Sequence, residues 1–273
     1  MIGSWKNPQA ANANANSAEV FSTHVSPATA TAPYLVVDLG LIGYPAASAL
    51  QERLVAARKA NAIVDVLLLC EHPHVITMGR NAKRENLLAS DRVLQQKHVA
   101  LHATNRGGDI TYHGPGQIVA YPILNLAAIR RDVGWYVRML EETMIRATAD
   151  YSITAEREPG KTGIWVSDPS QQNPAEKLGA IGVHLSRWIT SHGFAYNVST
   201  DLRYFDLIVP CGIRDRKATS LEKLLNRQVD KREITSSLTK HFAEIFGLAT
   251  QTVSDNELLE RLNHAEQPTA VSA

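Results

Sequence analysis

The chain has 273 residues, 44% hydrophobic and 20% charged, with 28 Lys+Arg against 27 Asp+Glu and a formal net charge of +1. That balance argues against a dedicated nucleic-acid binder, which needs a basic surplus or a concentrated basic stripe, and no apolar run approaches the roughly 20 residues of a membrane helix. Two cysteines, Cys70 and Cys211, cannot frame a disulfide-stapled fold, and the N-terminus shows neither a secretory signal nor transit-peptide arginines, so a reducing, cytoplasmic setting is expected.

Residues 1–33 are rich in Ala, Asn, Ser, Thr and Pro, with Lys6 and Glu19 as their only charges. They read as a disordered tail, as do residues 264–273, leaving 34–263 as one folded domain. Leu50, Leu54 and Ala57 recur at helical spacing and predict a helix over 45–61. Segments 64–70 and 75–78 read as short buried strands, and 99–104 as a strand before a glycine-rich loop over 106–117. Val133, Val137, Leu140, Met144 and Ala147 share one helix face behind Asp132, a capping residue. Strands are expected over 163–166, 178–184 and 189–198, the last two joined by a turn at 186–188. Asp230 with Glu233, and Ser254 with Glu257, fit capping boxes ahead of apolar helical stripes. With no strict βαβ alternation, the pattern predicts an α+β fold with helices packed on mixed or mostly antiparallel sheets.

The densest chemical segment is Arg106-Gly-Gly-Asp-Ile-Thr-Tyr-His-Gly-Pro-Gly-Gln117, with four glycines in twelve residues. It matches neither the dinucleotide nor the P-loop phosphate spacing, so it is either a tight turn or a close-approach ligand loop. Cys70 ends an apolar run and reads as a small buried hydrophobe. Cys211 stands in a Pro-Cys-Gly turn, a context open either to a nucleophile or to a merely packed or exposed thiol. Lys177 opens an otherwise apolar strand; His113 and His192, each beside a glycine, are rival bases or satisfied structural histidines. Cys70, His72 and His74 alternate, but Pro73 interrupts them and a fourth ligand is missing nearby, so a metal site is not expected.

These segments together resemble the octanoyltransferases of lipoate biosynthesis. The matching pieces are Glu71-His-Pro-His-Val-Ile-Thr-Met-Gly79, the 106–117 loop, Gly163-Ile-Trp-Val166, Lys177-Leu-Gly-Ala-Ile-Gly182, Ser191-His-Gly-Phe-Ala-Tyr-Asn197 and Pro210-Cys-Gly212, in order across about residues 64–225. The resemblance implies the catalytic-domain fold of biotin and lipoate protein ligases. It implies acyl transfer in two steps: Cys211 thiolate takes octanoyl from octanoyl-acyl carrier protein, and the thioester then acylates a lysine on lipoyl domains of 2-oxoacid dehydrogenases or the glycine-cleavage H protein. Lys177 would favour the thiolate and shuttle protons. The acyl site would comprise Arg106, Gly107, Gly108, Asp109, Ile110, Thr111, Tyr112 and His113, with Ala180, Ile181, Gly182, Gly193, Phe194 and Ala195, the glycines leaving room for a narrow slot and backbone N–H groups stabilising the oxyanion. Ala180 stands where some relatives carry Ser. Thioester exchange is nearly balanced and amide formation is downhill, so ATP is not required, and neither a metal nor a cofactor is expected.

Three rivals differ in what they need. An ATP-dependent lipoate- or biotin-protein ligase needs nucleotide and no cysteine; an amidotransferase moves octanoyl between lipoyl domains; a silent lipoyl-domain binder needs neither Cys211 nor Lys177. Arg203, Arg214, Arg216 and Lys217 form a candidate basic patch for acidic carrier and lipoyl domains.

Overall fold

The computed structural model describes residues 33–167, 174–209 and 216–267. Its strands are β1 (Tyr34–Leu41), β2 (Val66–Glu71), β3 (Val75–Met78), β4 (Ala100–Ala103), β5 (Ile110–His113), β6 (Gln117–Ile123), β7 (Glu156–Glu158), β8 (Lys161–Val166), β9 (Glu176–Ser186), β10 (Ile189–Asn197) and β11 (Thr250–Thr252). The helices are α1 (Tyr44–Lys59), α2 (Asp91–Gln96), α3 (Leu126–Ile129), α4 (Val133–Ala149), α5 (Leu221–Leu225), α6 (Lys231–Phe246) and α7 (Asp255–Glu266). An eight-stranded sheet runs β11-β1-β2-β6-β10-β9-β8-β7, and a three-stranded sheet runs β4-β3-β5. β1 is parallel to β11 and β2, and β3 is parallel to β4, while the remaining pairs are antiparallel. The fold is α+β on mixed sheets.

Apolar side chains cover both faces of the large sheet. Leu67, Leu69, Ile118 and Ala120 face α4 and α6, whereas Leu68, Cys70, Val119 and Tyr121 join the core lined by α1 and α7. A strand covered on both faces carries an unbroken apolar run, and Val66–Cys70 is one. α4 begins where Asp132 Oδ1 accepts from Trp135 N–H at 2.8 Å, and it buries Tyr136, Leu140, Met144 and Ala147 as a single stripe. Burial of each large apolar side chain contributes about 1.5–3 kcal/mol. Asp230 and Ser254 cap α6 and α7 through Arg232 N–H and Glu257 N–H.

The structure departs from the sequence reading in several places. The glycine-rich stretch is not one loop, because Ile110–His113 pairs with β3 and Gln117 opens β6. β1 and β6, both interior strands of the large sheet, and the short elements α2, α3, α5, β7 and β11 are not among the expected elements. α7 continues through His264 to Glu266, beyond the expected end of the fold at residue 263. The β9–β10 hairpin falls where expected, and its turn residues Arg187 and Trp188 both have positive φ, 53° and 66°, matching the twist of a tight hairpin.

Candidate active site

Lys177 sits near the start of β9, where its backbone is clamped. Its N–H donates to Lys217 O at 2.8 Å and its carbonyl accepts from Thr219 N–H at 2.9 Å, a parallel bridge to Ala218. The ammonium donates to Thr162 O at 3.1 Å and lies 4.6 Å from the centre of the Trp165 ring, a cation–π geometry that fixes the charge above an apolar surface. Lys177 and Trp165 line a first cavity.

A second cavity adjoins it and shares Thr111, Ala180 and Ala195 with it. Of the residues expected at the acyl site, all but Gly107 and Tyr112 line this second cavity. Gly107 instead donates its N–H to Val183 O at 2.8 Å, tying the loop to β9. Tyr112 is fully buried in the small-sheet core, with its hydroxyl 2.8 Å from His74 Nδ1 and its ring stacked on Tyr204.

Several expected ligand-binding groups are already engaged by protein. Asp109 lines the second cavity, yet its carboxylate accepts from Lys83 N–H at 3.1 Å, Ile110 N–H at 2.8 Å and Asn86 Nδ2 at 2.5 Å. Asn86 O in turn accepts from Val209 N–H at 2.7 Å, so Asp109 anchors the chain at Val209. A Cβ on Gly193 would lie 2.2 Å from Ala120 O, and one on Gly182 would lie 3.1 Å from Arg106 Cδ. These glycines serve close backbone and side-chain packing, where slot width alone was expected.

A buried polar chain links the second cavity to the Lys177 bridge. Arg106 Nε and Nη2 donate to Thr77 Oγ1 at 3.1 and 2.9 Å, and Thr77 Oγ1 stands 3.4 Å from His113 Nε2. His113 Nδ1 is 2.7 Å from Gln117 Oε1, Gln117 Nε2 donates to Asn197 Oδ1 at 2.8 Å, and Asn197 Nδ2 donates to Thr219 O at 2.9 Å. A guanidinium only donates and a carbonyl only accepts, so the two ends impose one direction on every link. His113 therefore carries its proton on Nδ1. Burial, with His72 and Arg106 nearby, pushes its pKa down to about 3, which keeps it neutral. Burial and Arg106 push His192 down to about 4; its Nε2–H donates to Asn105 Oδ1 at 2.6 Å. Both histidines are engaged by protein amides, Gln117 and Asn105.

Of the alternating Cys70, His72 and His74, the first two meet, with Cys70 Sγ 3.7 Å from His72 Nε2, and His74 turns to other partners. His72 donates from Nδ1 to Ile42 O and accepts at Nε2 from the Tyr121 hydroxyl, both at 2.7 Å, while His74 stacks on Tyr204 at 4.1 Å. Burial pushes the Cys70 thiol well up, as suits a packed hydrophobe. Among the described residues no group of three or more His, Cys, Asp or Glu could hold a metal ion. Cys211 and Arg214 lie outside the described residues. Of the rest of the expected basic patch, Arg216 lines the first cavity and pairs with Glu158 at 2.5 Å. Lys217 also lines that cavity, and Arg203 is exposed and paired with Asp201. Sequence reading missed Trp165, Thr77, Gln117 and Asn197 as site residues; the signal available for the last two was an amide side chain at the edge of an apolar strand.

The lipoyl protein ligase A/B catalytic domain family matches residues 44–243. An octanoyltransferase from Solibacter usitatus (strain Ellin6076) is 54% identical over 210 residues, covering 77% of this chain and 91% of its own. One from Acidobacterium capsulatum is 48% identical over 221 residues, covering 78% and 89%. The chain belongs to the octanoyltransferase family. It is an acyltransferase of octanoyl transfer in protein lipoylation. The fold is also that of more distant lipoate ligases. The bi-partite ligase of Thermoplasma acidophilum superposes with TM-score 0.63 at 14% identity, covering 89% of this chain and 95% of its own. Lipoate-protein ligase A bound with ATP does so with TM-score 0.61 at 13% identity, covering 86% and 94%. No helix among the described residues is long and apolar enough to cross a membrane.

Proposed function

We propose that the chain transfers octanoyl from octanoyl-acyl carrier protein to the ε-amine of a lysine on lipoyl domains of 2-oxoacid dehydrogenases and the glycine-cleavage H protein, through an acyl-thioester on Cys211, in the cytoplasm. The supporting observation is the placement of Lys177. Its ammonium is held by Thr162 O and the Trp165 face, and the residue lines one of two adjoining cavities of mainly apolar lining. A fixed cation beside an apolar slot suits a reaction that needs a thiolate beside a saturated chain.

In the first step the Cys211 thiolate attacks the carrier thioester; the new C–S bond forms as the carrier's C–S bond breaks, and the departing thiolate takes a proton. In the second, the neutral acceptor amine attacks the octanoyl carbonyl, gives up a proton, and expels the Cys211 thiolate. Lys177 would favour that thiolate by charge and relay the proton between the two steps. The apolar slot contributes about 0.8 kcal/mol for each buried methylene.

The purified chain, mixed with octanoyl-acyl carrier protein and an unmodified lipoyl domain without ATP, is expected to leave one octanoyl group on the lipoyl domain. Transfer seen only after ATP is added would replace this reading with the adenylating ligase.

A further inference from the structure

Glu141 follows Leu140 in α4 and is buried together with the apolar stripe of that helix. A buried carboxylate is costly unless it is paired and hydrogen-bonded. Its Oε2 accepts from Arg157 Nε at 3.0 Å, and its Oε1 accepts from Gly163 N–H at 3.0 Å. That N–H belongs to the same peptide unit as Thr162 O, the carbonyl that accepts from the Lys177 ammonium at 3.1 Å. The peptide is trans, so its N–H and C=O point to opposite sides. A buried carboxylate and the Lys177 ammonium therefore hold the two ends of one peptide plane. The backbone is adapted to this arrangement. Pairing of β8 with β9 slips between Ile164 and Trp165, which sets Trp165 opposite Lys177. Gly163 has φ 116°, and a Cβ on it would lie 2.4 Å from Gly179 O, so the turn of the 162–163 peptide requires glycine.

We propose that Glu141 is a positioning residue for Lys177, aiming the Thr162 carbonyl at the ammonium through the 162–163 peptide. This rests on the reading above, in which Lys177 serves the acyl transfer. The carboxylate draws on the Gly163 N–H, polarises the peptide and makes Thr162 O a stronger acceptor. Without an acceptor at that N–H the plane is free to tilt, and the ammonium loses the carbonyl that fixes it beside Trp165. Glu142, the next residue, carries the same carboxylate but bonds to Arg157 and Arg146 instead. It supplies a matched control on the same turn of helix.

The test compares wild type with Glu141→Met, which removes the acceptor, Glu141→Asp, which withdraws it by one carbon, and the control Glu142→Gln. Each is checked for a cooperative unfolding transition, and the Asp variant, which keeps a carboxylate for Arg157, stands in if the Met variant fails to fold. The first readout is trace labelling of Lys177 by acetic anhydride, followed by peptide mass spectrometry, and it needs no catalysis. A folded Glu141 variant is expected to label Lys177 about fivefold faster, the effect of one lost hydrogen bond. Glu142→Gln is expected to stay within about twofold of wild type. Labelling within about twofold of wild type in the folded Glu141 variants overturns the proposal. The second readout is single-turnover transfer from octanoyl-acyl carrier protein, in a double-mutant cycle with Lys177→Ala. Each Glu141 variant is expected to slow transfer about tenfold when Lys177 is present and less than about twofold when it is not. Equal slowing in both backgrounds shows a general structural role and overturns the proposal. Faster labelling with unchanged transfer keeps Glu141 as the residue that positions Lys177 and removes Lys177 from the chemistry.

Discussion

Gln117 and Asn197 face each other across β6 and β10, and the Gln117 amide donates to Asn197 Oδ1 at 2.8 Å. That contact sets the orientation of both amides, since Asn197 must spend its own N–H on Thr219 O at 2.9 Å. Thr219 N–H in turn donates to Lys177 O, so an amide pair buried in the sheet fixes the backbone that carries Lys177. Asn197→Asp removes the donor and faces two oxygens with each other. Loss of a buried partner costs about 1–3 kcal/mol, so the variant is expected to unfold several degrees lower by calorimetry. An unchanged transition would show that the chain does not depend on this link.

Lys177 carries the proton work in the proposed mechanism. Lys177→Ala is expected to slow single-turnover acyl transfer by about 10²- to 10⁴-fold, the usual contribution of a positioned acid–base group. Lys177→Arg keeps the charge without a group that gives up its proton, so thioester formation is expected to survive better than discharge. Quenched-flow rates for the two half-reactions separate these effects, and rates within about twofold of wild type in both variants would remove Lys177 from the chemistry.

Stability is expected to fall in mild acid. His113 and His192 stay neutral in the folded chain down to about 3 and about 4, against an ordinary value of 6.5. Between those values the unfolded chain binds more protons than the folded one, so stability rises with pH across the window and is lost as pH drops below 6.5. At pH 5 each histidine withdraws up to about 2 kcal/mol. Urea midpoints at pH 7 and pH 5 measure this, and a conservative His113→Gln variant is expected to flatten the dependence. Equal midpoints at the two pH values would contradict the neutral, buried assignment.

Gly193→Ala is expected to destabilise the chain, because the added carbon meets the Ala120 carbonyl at 2.2 Å and β6 must move. Overpacking of this kind costs about 1–3 kcal/mol. A variant as stable as wild type by urea unfolding would show that β6 yields without strain.

Much of this was legible in the sequence, for identifiable reasons. Helices with a capping residue and one apolar stripe, such as α4 behind Asp132 and α6 behind Asp230, announce themselves locally. The β9–β10 hairpin did so as well, because its strands flank one short turn. β6 did not, since Gln117 and Pro122 interrupt its apolar pattern, and both make sense only in place. Gln117 bonds into the polar chain, while Pro122 O accepts from Thr190 Oγ1 at 2.6 Å. Glycine density concealed β5, whose pairing partner β3 lies more than thirty residues away. Lys177 was visible as a charge opening an apolar strand. The anchoring work of Asp109 was not, because it depends on Asn86, 23 residues distant.

A covalent octanoyl-enzyme is tested most directly by peptide mass spectrometry after mixing the chain with octanoyl-acyl carrier protein without ATP. One octanoyl group on the peptide containing Cys211, released by hydroxylamine and discharged onto a lipoyl domain, is the predicted result. An unmodified Cys211 peptide in a preparation that transfers octanoyl would contradict it.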